Sequence, residues 1–395
     1  MQKLSYLITL LILLIFKVAS ADTNIINGDA QFAKYLPILK NKKVAVFANS
    51  ASLVNNTNIV DSLIAKQINI VKIFSPEHGF SGLNDAGAKI KDSNYKHKIS
   101  IISLYGKKLA PNNMDLKDVD IIIFDIQDVG VRYYTYISSL QKLLEAAINN
   151  NKPLILLDRA NPNSFYIDGP VLNLKYKSFV GMQPIPIVYG MTIGEYAQML
   201  VGEKWLDITP KSRINKLQLT IIPVANYIHQ NKYQPLQKPS PNLPNLNSIY
   251  WYPSLGWFEG TKVSIGRGTP MPFQVLGAPE YKATQNFSFL PKALSGAQNP
   301  PYKEIRCYGW DLQMAPESAL QQINGQIRLD YLLNAYQKYP DKQKFFTSFF
   351  NKLAGNSLLQ QQIKAGLTEQ EIRASWQKDL NAFKKTRKKY LLYQD

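Results

Sequence analysis

The sequence predicts an α/β fold built on a doubly wound, mostly parallel sheet, and three observations lead there. Between Lys43 and about Pro223, short apolar runs alternate with segments of helical periodicity, the pattern of a parallel sheet with helices on both faces. The runs are continuous rather than alternately polar, as strands covered on two sides must be. Hydrophobic residues make up 45% of the chain and charged ones 19%, an ordinary globular balance that can fill such a core.

Strands are expected at 44–48, 68–74, 99–104, 119–124, 153–157 and 217–222. Crossover helices are expected at 59–66 and 136–149, the second through Leu140, Leu143, Leu144 and Ala147 at three-to-four spacing. A further helix begins at Thr192, where Thr192 and Glu195 have capping-box spacing, which gives Glu195 a structural task. KPSPNLPN at 238–245 must be an extended loop, because proline removes donors and restrains its predecessor. The stretch 250–273 reads as a helix, a strand and a glycine-rich loop. Beyond Tyr281 the pattern changes to one short strand near 306–312 and several helices, the last opened by Thr368 and Glu371. A chain of 395 residues exceeds one usual core. Two domains, 22–280 and 281–395, are therefore expected.

The amino terminus reads as a secretory signal over residues 1–21. Lys3 supplies the charge, 4–16 is mostly apolar, and Ala19-Ser20-Ala21 forms a small-residue cleavage site. The apolar stretch is shorter than the ~20 residues a membrane span needs, so no stable membrane insertion is expected after cleavage. Cys307 is the only cysteine, which excludes an intramolecular disulfide. An exported protein, periplasmic or secreted, stabilised by a large core, fits these features. Loss of Lys3 and Lys17 with the signal takes the formal charge from +18 to +16. Such a charge suits an anionic polymer such as cell-wall glycan. It is also the sole support for nucleic-acid binding, since the basic tail Lys384, Lys385, Arg387, Lys388 and Lys389 reads as a solvated helix face.

Carboxylates recur at or just past strand ends: Glu77 in FSPEHGF, Asp125 and Asp128 in FDIQDVGVRYYTY, and Asp158 in LDRANPN. In a parallel sheet those ends share one edge, where open α/β sheets bind ligands. Glycosidic cleavage uses two such groups, one an acid for the leaving oxygen and one a base or nucleophile. Glu77 leads, because His78 and Gly79 beside it make a polar, close-approach loop. Arg132 is placed to pair with one of Asp125 and Asp128, while Tyr133, Tyr134 and Tyr136 offer apolar faces to sugar rings. Glu259 and the glycine-flanked Arg267 form either a carboxylate-reading pair or a loop-bracing ion pair. His78, His97 and His229 lack metal-ligand spacing. The sequence has no GxSxG elbow and no P-loop, and VAVFANSASL stands where a Rossmann glycine fingerprint would be. No metal or cofactor is expected.

Taken in order, FSPEHGF, DAG at 85–87, SLYG at 103–106, FDIQDVGVRYYTYISSL, LDRANPN, DGPVL at 168–172, GMTIGEYA, PSPNLPN and FEGTKVSIGRGT closely resemble the exo-acting β-N-acetylmuramidases of the NamZ type, and the likeness spans nearly all of the chain after residue 21. The resemblance implies a Rossmann-like amino-terminal domain, a smaller carboxy-terminal α+β domain, and a cleft between them. It implies release of N-acetylmuramic acid from non-reducing ends of peptidoglycan fragments, in cell-wall turnover and recycling, with Glu77 as the catalytic glutamate. Beyond what the resemblance implies, Glu77 is expected to act as the acid, Asp128 or Glu259 as the second carboxylate, and Arg267 as the reader of the lactyl carboxylate. His78, Asp125, Gln127, Arg132, Tyr133, Asp158, Asn161 and Tyr189 are the expected substrate contacts. Three positions depart from the family pattern: Leu83-Asn84 after FSG, Tyr189 where histidine is frequent, and Ala160 where proline is frequent. The competing class is a non-catalytic periplasmic binder of muropeptides or glycan.

Overall fold

The computed structural model describes residues 24–85, 87–88, 91–96 and 99–395. The signal segment and His97 lie outside the described residues. Six parallel strands carry the amino-terminal part: β1 Val44–Phe47, β2 Ile70–Ser75, β3 Ser100–Ser103, β4 Ile121–Phe124, β5 Leu154–Leu157 and β6 Leu219–Ile222. Their spatial order is 3-2-1-4-5-6, and the edge strand Ser93–Asn94 lies antiparallel to β3. That is the doubly wound order, whose switch point falls between β1 and β4. Every expected strand is present, its bounds differing by a residue or two, most of them trimmed and β2 reaching one residue further, to Ser75.

Alternate residues of the strands feed two clusters. Val44, Val46, Ile73, Ile123 and Ile155 pack with α1 (Phe32–Leu39) and α2 (Ile59–Ala65) through Tyr35, Leu39, Ile59 and Leu63. On the opposite face, Ala45, Phe47, Phe74, Ile122, Phe124 and Leu156 join Leu140, Leu143 and Leu144 of the later helix Tyr136–Asn149. Both faces are dry, which explains why the strand sequences are continuously apolar.

After the small helix α3 (Asn113–Leu116) come α4 (Tyr136–Asn149), α5 (Ile193–Gly202) and α6 (Leu246–Leu255). The Thr192–Glu195 box closes as expected: Thr192 N donates to Glu195 Oε2 at 2.9 Å and Glu195 N donates to Thr192 Oγ1 at 3.2 Å. The proline-rich segment is an extended loop whose last residue, Asn245, caps α6 by accepting from Ser248 N at 2.9 Å. Pro253 near the end of α6 has no N–H for the carbonyl of Ile249. Asn163 Nδ2 donates to that carbonyl instead, at 3.2 Å.

One element of the 250–273 reading is corrected. Instead of a strand, residues near 261–265 make single bridges, Thr261 to Phe346 and Ser264 to Gly277. Thr261 Oγ1 donates to Phe258 O at 2.8 Å and accepts from Val263 N at 3.1 Å, so local turn bonds displace a ladder. A three-stranded sheet follows, with β9 (Cys307–Asp311) between β7 (Val275–Ala278) and β8 (Phe287–Phe289), all antiparallel. Only β9 was expected. The remaining elements are α7 Pro316–Ile323, α8 Asp330–Lys338, α9 Phe350–Ala354, α10 Leu358–Lys364 and α11 Glu369–Arg387, the last with the Thr368–Glu371 box formed. Residues such as Phe350, Trp376 and Leu380 share the larger core cluster with Phe47 and Phe124, so the carboxy-terminal helices pack against the same core as the sheet. No described helix is long and apolar enough to cross a membrane.

Candidate active site

β2 ends at Ser75, and Pro76 leads directly into Glu77. His78 (φ 68°) and Gly79 (φ 73°) both take left-handed backbone, turning the chain sharply so that the Glu77 side chain stands over the strand end. The turn is tied down by Asn84, whose carbonyl lies 2.6 Å from His78 Nδ1 and whose Nδ2 donates to His78 O at 3.1 Å. A carbonyl only accepts, so Nδ1 carries the proton and Nε2 faces the Ser240 hydroxyl at 3.4 Å as an acceptor. Burial holds the imidazole below its ordinary pKa, which keeps it neutral.

Glu77 is half-buried, and both its oxygens are engaged. Oε1 accepts from Gly87 N at 2.9 Å and Oε2 from Thr135 Oγ1 at 2.7 Å. Thr135 is the N-cap residue of α4, yet its side chain makes no cap bond to that helix. The hydroxyl is given to Glu77 instead.

Across the cavity, Glu259 rides on the 3-10 turn Gly256–Gly260 that continues α6. Arg267 lies between Gly266 (φ 78°) and Gly268 (φ 80°), and it donates to Glu259 Oε1 through Nε at 3.2 Å and through Nη2. Burial works against the guanidinium charge, but the Glu259 carboxylate more than offsets it and raises the pKa. Arg267 Nη1 is buried without a partner, and the guanidinium sits 5.3 Å from the centroid of the Phe273 ring.

Glu77, His78, Glu259 and Arg267 line one cavity of about 260 Å³ together with Tyr105, Tyr133, Thr135, Ser240, Asn242, Tyr252 and Phe349. The volume is just under the roughly 300–1,000 Å³ of clefts for drug-sized ligands, the scale of a single sugar residue. Tyr133 is locked as part of the wall: its hydroxyl donates to the carbonyls of Tyr252 (3.0 Å) and Pro253 (2.7 Å), and its ring meets Tyr252 edge-on at 5.3 Å. Tyr134 and Tyr136 also contribute to the lining.

The other expected contacts do not line this cavity. Asp125 receives Arg159 through both oxygens, at 2.6 and 2.8 Å, and Arg159 also donates to Asp29 at 2.7 Å. The expected pairing of Arg132 with Asp125 or Asp128 is corrected. Arg132 N bonds Ile187 O, which carries the side chain toward the carboxy-terminal helices, and its guanidinium donates to the carbonyls of Pro170, Ile185 and Leu353 at 2.7–2.8 Å. Asp128 Oδ2 accepts from Gly130 N at 2.7 Å and from Tyr189 OH, while Oδ1 is buried without a partner. Burial pushes its pKa up to about 6. Asp158 accepts from Thr192 Oγ1 (2.7 Å), Gly194 N (2.8 Å), Arg159 N (3.0 Å) and Tyr393 OH (2.6 Å), and burial pushes it to about 7. Gln127 Nε2 bonds the carbonyls of Asp128 and Ala160, and Asn161 Nδ2 bonds that of Met191. These groups knit loops together below the cavity.

Tyr105, Thr135, Ser240, Asn242, Tyr252, Phe273 and Phe349 were not foreseen as site residues. Tyr105, Thr135, Ser240 and Asn242 stand inside the SLYG, YYTY and PSPNLPN motifs, but neutral side chains carry no chemical signal of their own. Burial, and then the Glu77 carboxylate, raise the pKa of the Tyr105 phenol, so it stays protonated. Among the described residues no group of three or more histidine, cysteine or acidic side chains is arranged to hold a metal ion.

Fold and cavity together define a class: a Rossmann-like α/β protein whose carboxylates surround a space the size of one sugar. The chain belongs to the exo-β-N-acetylmuramidase NamZ family, its amino-terminal model matching residues 44–247 and its carboxy-terminal model residues 250–393. Peptidoglycan β-N-acetylmuramidase NamZ of Bacillus subtilis is 36% identical over 386 residues, 92% of this chain and 90% of that protein. A crystal structure of a DUF1343 family protein from Bacteroides fragilis superposes with TM-score 0.85 at 44% identity, covering 94% of this chain and 100% of that one. A second from the same organism gives TM-score 0.77 at 27% identity, over 94% and 99%.

Proposed function

We propose that this protein removes N-acetylmuramic acid from the non-reducing ends of peptidoglycan-derived saccharides by hydrolysing the glycosidic bond. The observation that carries the reading is a cavity of about 260 Å³ with Glu77 and Glu259 on its wall, room for one terminal sugar between two carboxyl groups. Glu77 gives the proton to the leaving oxygen from Oε2. The Thr135 hydroxyl beside it can accept from the protonated acid and donate to the carboxylate that remains. Glu259, bonded through Oε1 to Arg267, serves the anomeric carbon directly or through water. The buried, unpartnered Nη1 of Arg267 supplies a donor for the lactyl carboxylate, a charge-assisted contact.

The test is incubation with a disaccharide bearing non-reducing N-acetylmuramic acid, followed by product identification. Glu77→Gln is expected to lower release by roughly 10²–10⁴-fold, as for loss of general acid catalysis, with an unchanged melting temperature. Near-normal turnover by that variant would reject the role of Glu77. Saturable binding without sugar release by the wild type would reject hydrolysis in favour of a binding protein. The signal-like residues 1–21 further support export and action in the periplasm or outside the cell. A mature amino terminus at Asp22, read by sequencing the protein from its host, is the expected result.

A further inference from the structure

The two edges of the large sheet are finished differently. Beyond β3, the short strand Ser93–Asn94 lies antiparallel and covers the edge. At the other end, β6 pairs only with β5 among the described residues. Leu154 N donates to Gln218 O and Asp158 N donates to Ile222 O, so residues 218, 220 and 222 are the ones whose backbone faces β5. The backbone N–H and C=O groups of Leu219 and Ile221 therefore point outward, with no bond to another described residue. Their side chains lie on the sheet face that carries α4 and α5. There they line an open depression of about 650 Å³ with Val201, Leu217, Pro223 and the exposed Leu392. Leu217 also lines a smaller depression of about 200 Å³ toward the start of the strand. Outward main-chain groups beside aliphatic seats are what an added β-strand requires, the first for affinity and the second for specificity.

We propose that β6 is a docking edge for an acidic, extended polypeptide segment of a partner protein, which adds as a further strand beside Leu219 and Ile221. Charge decides the kind of strand. Lys152, Lys216 and Lys389 line the two depressions, and no acidic side chain does. Lys211 and Arg213 stand on the 3-10 helix Lys211–Lys216 that leads into β6. Of the three lining lysines, Lys389 alone has an acidic partner among the described residues, Glu203 at 3.2 Å. A second copy of this chain would bring the same cations and the same strong positive charge against itself, which opposes self-pairing. The flanks set the length: Pro223 has no N–H, so the ladder stops there. The docking edge shares no residue with the cavity, so it stands or falls independently of the hydrolytic reading.

The experiment titrates the full-length mature protein with two acetylated, amidated heptapeptides, Glu-Glu-Val-Thr-Val-Thr-Val and its counterpart beginning Lys-Lys. Calorimetry is expected to give one-to-one binding of the acidic peptide at about 10–100 μM, weakened by added salt and at least about tenfold tighter than the lysine peptide. Hydrogen exchange is expected to slow at the amides of Leu219 and Ile221 when the acidic peptide binds. Ile221→Pro removes one outward N–H while leaving the bonds to β5 in place, and Lys216→Glu reverses one cation. Each is expected to weaken binding about tenfold, with the fold confirmed by an unchanged circular dichroism spectrum. Equal affinity for the two peptides, wild-type affinity in both variants, or no binding of the acidic peptide at about 1 mM overturns the docking edge. Dimerisation of the protein alone that Ile221→Pro abolishes would overturn it in favour of a second copy.

Discussion

Thr135 has no reactive chemistry of its own, yet in the proposed mechanism it bears directly on Glu77. Its hydroxyl sits 2.7 Å from Glu77 Oε2 and makes no cap bond to α4, so its loss should be felt in turnover rather than in stability. Thr135→Val is expected to lower kcat by about 10–100-fold, the worth of a hydrogen bond to a charged group, with a melting temperature close to wild type and recovery in Thr135→Ser. A Val variant with full kcat would remove Thr135 from the mechanism. Asp128 makes the opposite prediction, one of stability. Burial raises its pKa to about 6, so the folded protein holds this proton more tightly than the unfolded chain does. Its contribution is complete below the ordinary carboxylate range near 4 and is lost as pH rises through about 6; for Asp158, at about 7, the loss extends further. The wild type is thus expected to melt at lower temperature at pH 8 than at pH 5. Asp128→Asn should shrink that difference by on the order of 1–2 kcal/mol, because at pH 5 part of the contribution is already lost, and an unchanged difference in thermal melts would contradict it. Glu77 and Arg267 could be picked out from charged side chains beside glycines. The burial of Asp125, Asp128 and Asp158 could not, because a strand-end acid reads alike whether its neighbour is a substrate or an arginine elsewhere in the chain.

At the scale of elements, the site is a meeting of the β2 end, the start of α4, the 3-10 turn after α6 and the loop at 238–245. Strands and helices inside the sheet were legible because two dry faces force continuous apolar runs and three-to-four periodicity. The strand expected within 250–273 was not there, since Thr261 satisfies its neighbours locally, and β7 and β8 went unseen because strands of four and three residues leave a weak pattern. The turn carrying Glu259 is held against α9 with no room to spare: a Cβ on Gly260 would lie 2.3 Å from Phe350 Cα. Backbone cannot yield as a flexible side chain can. Gly260→Ala is therefore expected to displace Glu259, lowering both the melting temperature and kcat, with a stability cost of about 1–3 kcal/mol typical of overpacking. Wild-type values for both would show that the turn is free to move.

For the whole molecule, the carboxy-terminal tail is tied to the start of α5 and to the acid after β5. Leu392 N and Tyr393 N donate to Glu195 Oε1 at 2.8 and 3.2 Å, Tyr393 OH donates to Asp158, and Asp395 pairs with Arg387 and lies 3.0 Å from His229 Nδ1. Deleting residues 391–395 strands buried carboxylates at roughly 1–3 kcal/mol each. A fall in melting temperature of about 5–15 °C, at 2–4 °C per kcal/mol, is expected for a domain this large or larger; an unchanged melt would mean the tail is ornamental to stability. The sequence by itself determined the parallel sheet, the capped helices, the family likeness and the leading carboxylate, since each depends on neighbours close along the chain or on a motif read whole. Only the tertiary structure decided which acids face the cavity, that Arg159 rather than Arg132 holds Asp125, and that Thr135 belongs to Glu77. Those pairings join residues 34 and 58 positions apart, and no local pattern encodes which of several equivalent partners packing will bring within hydrogen-bond reach.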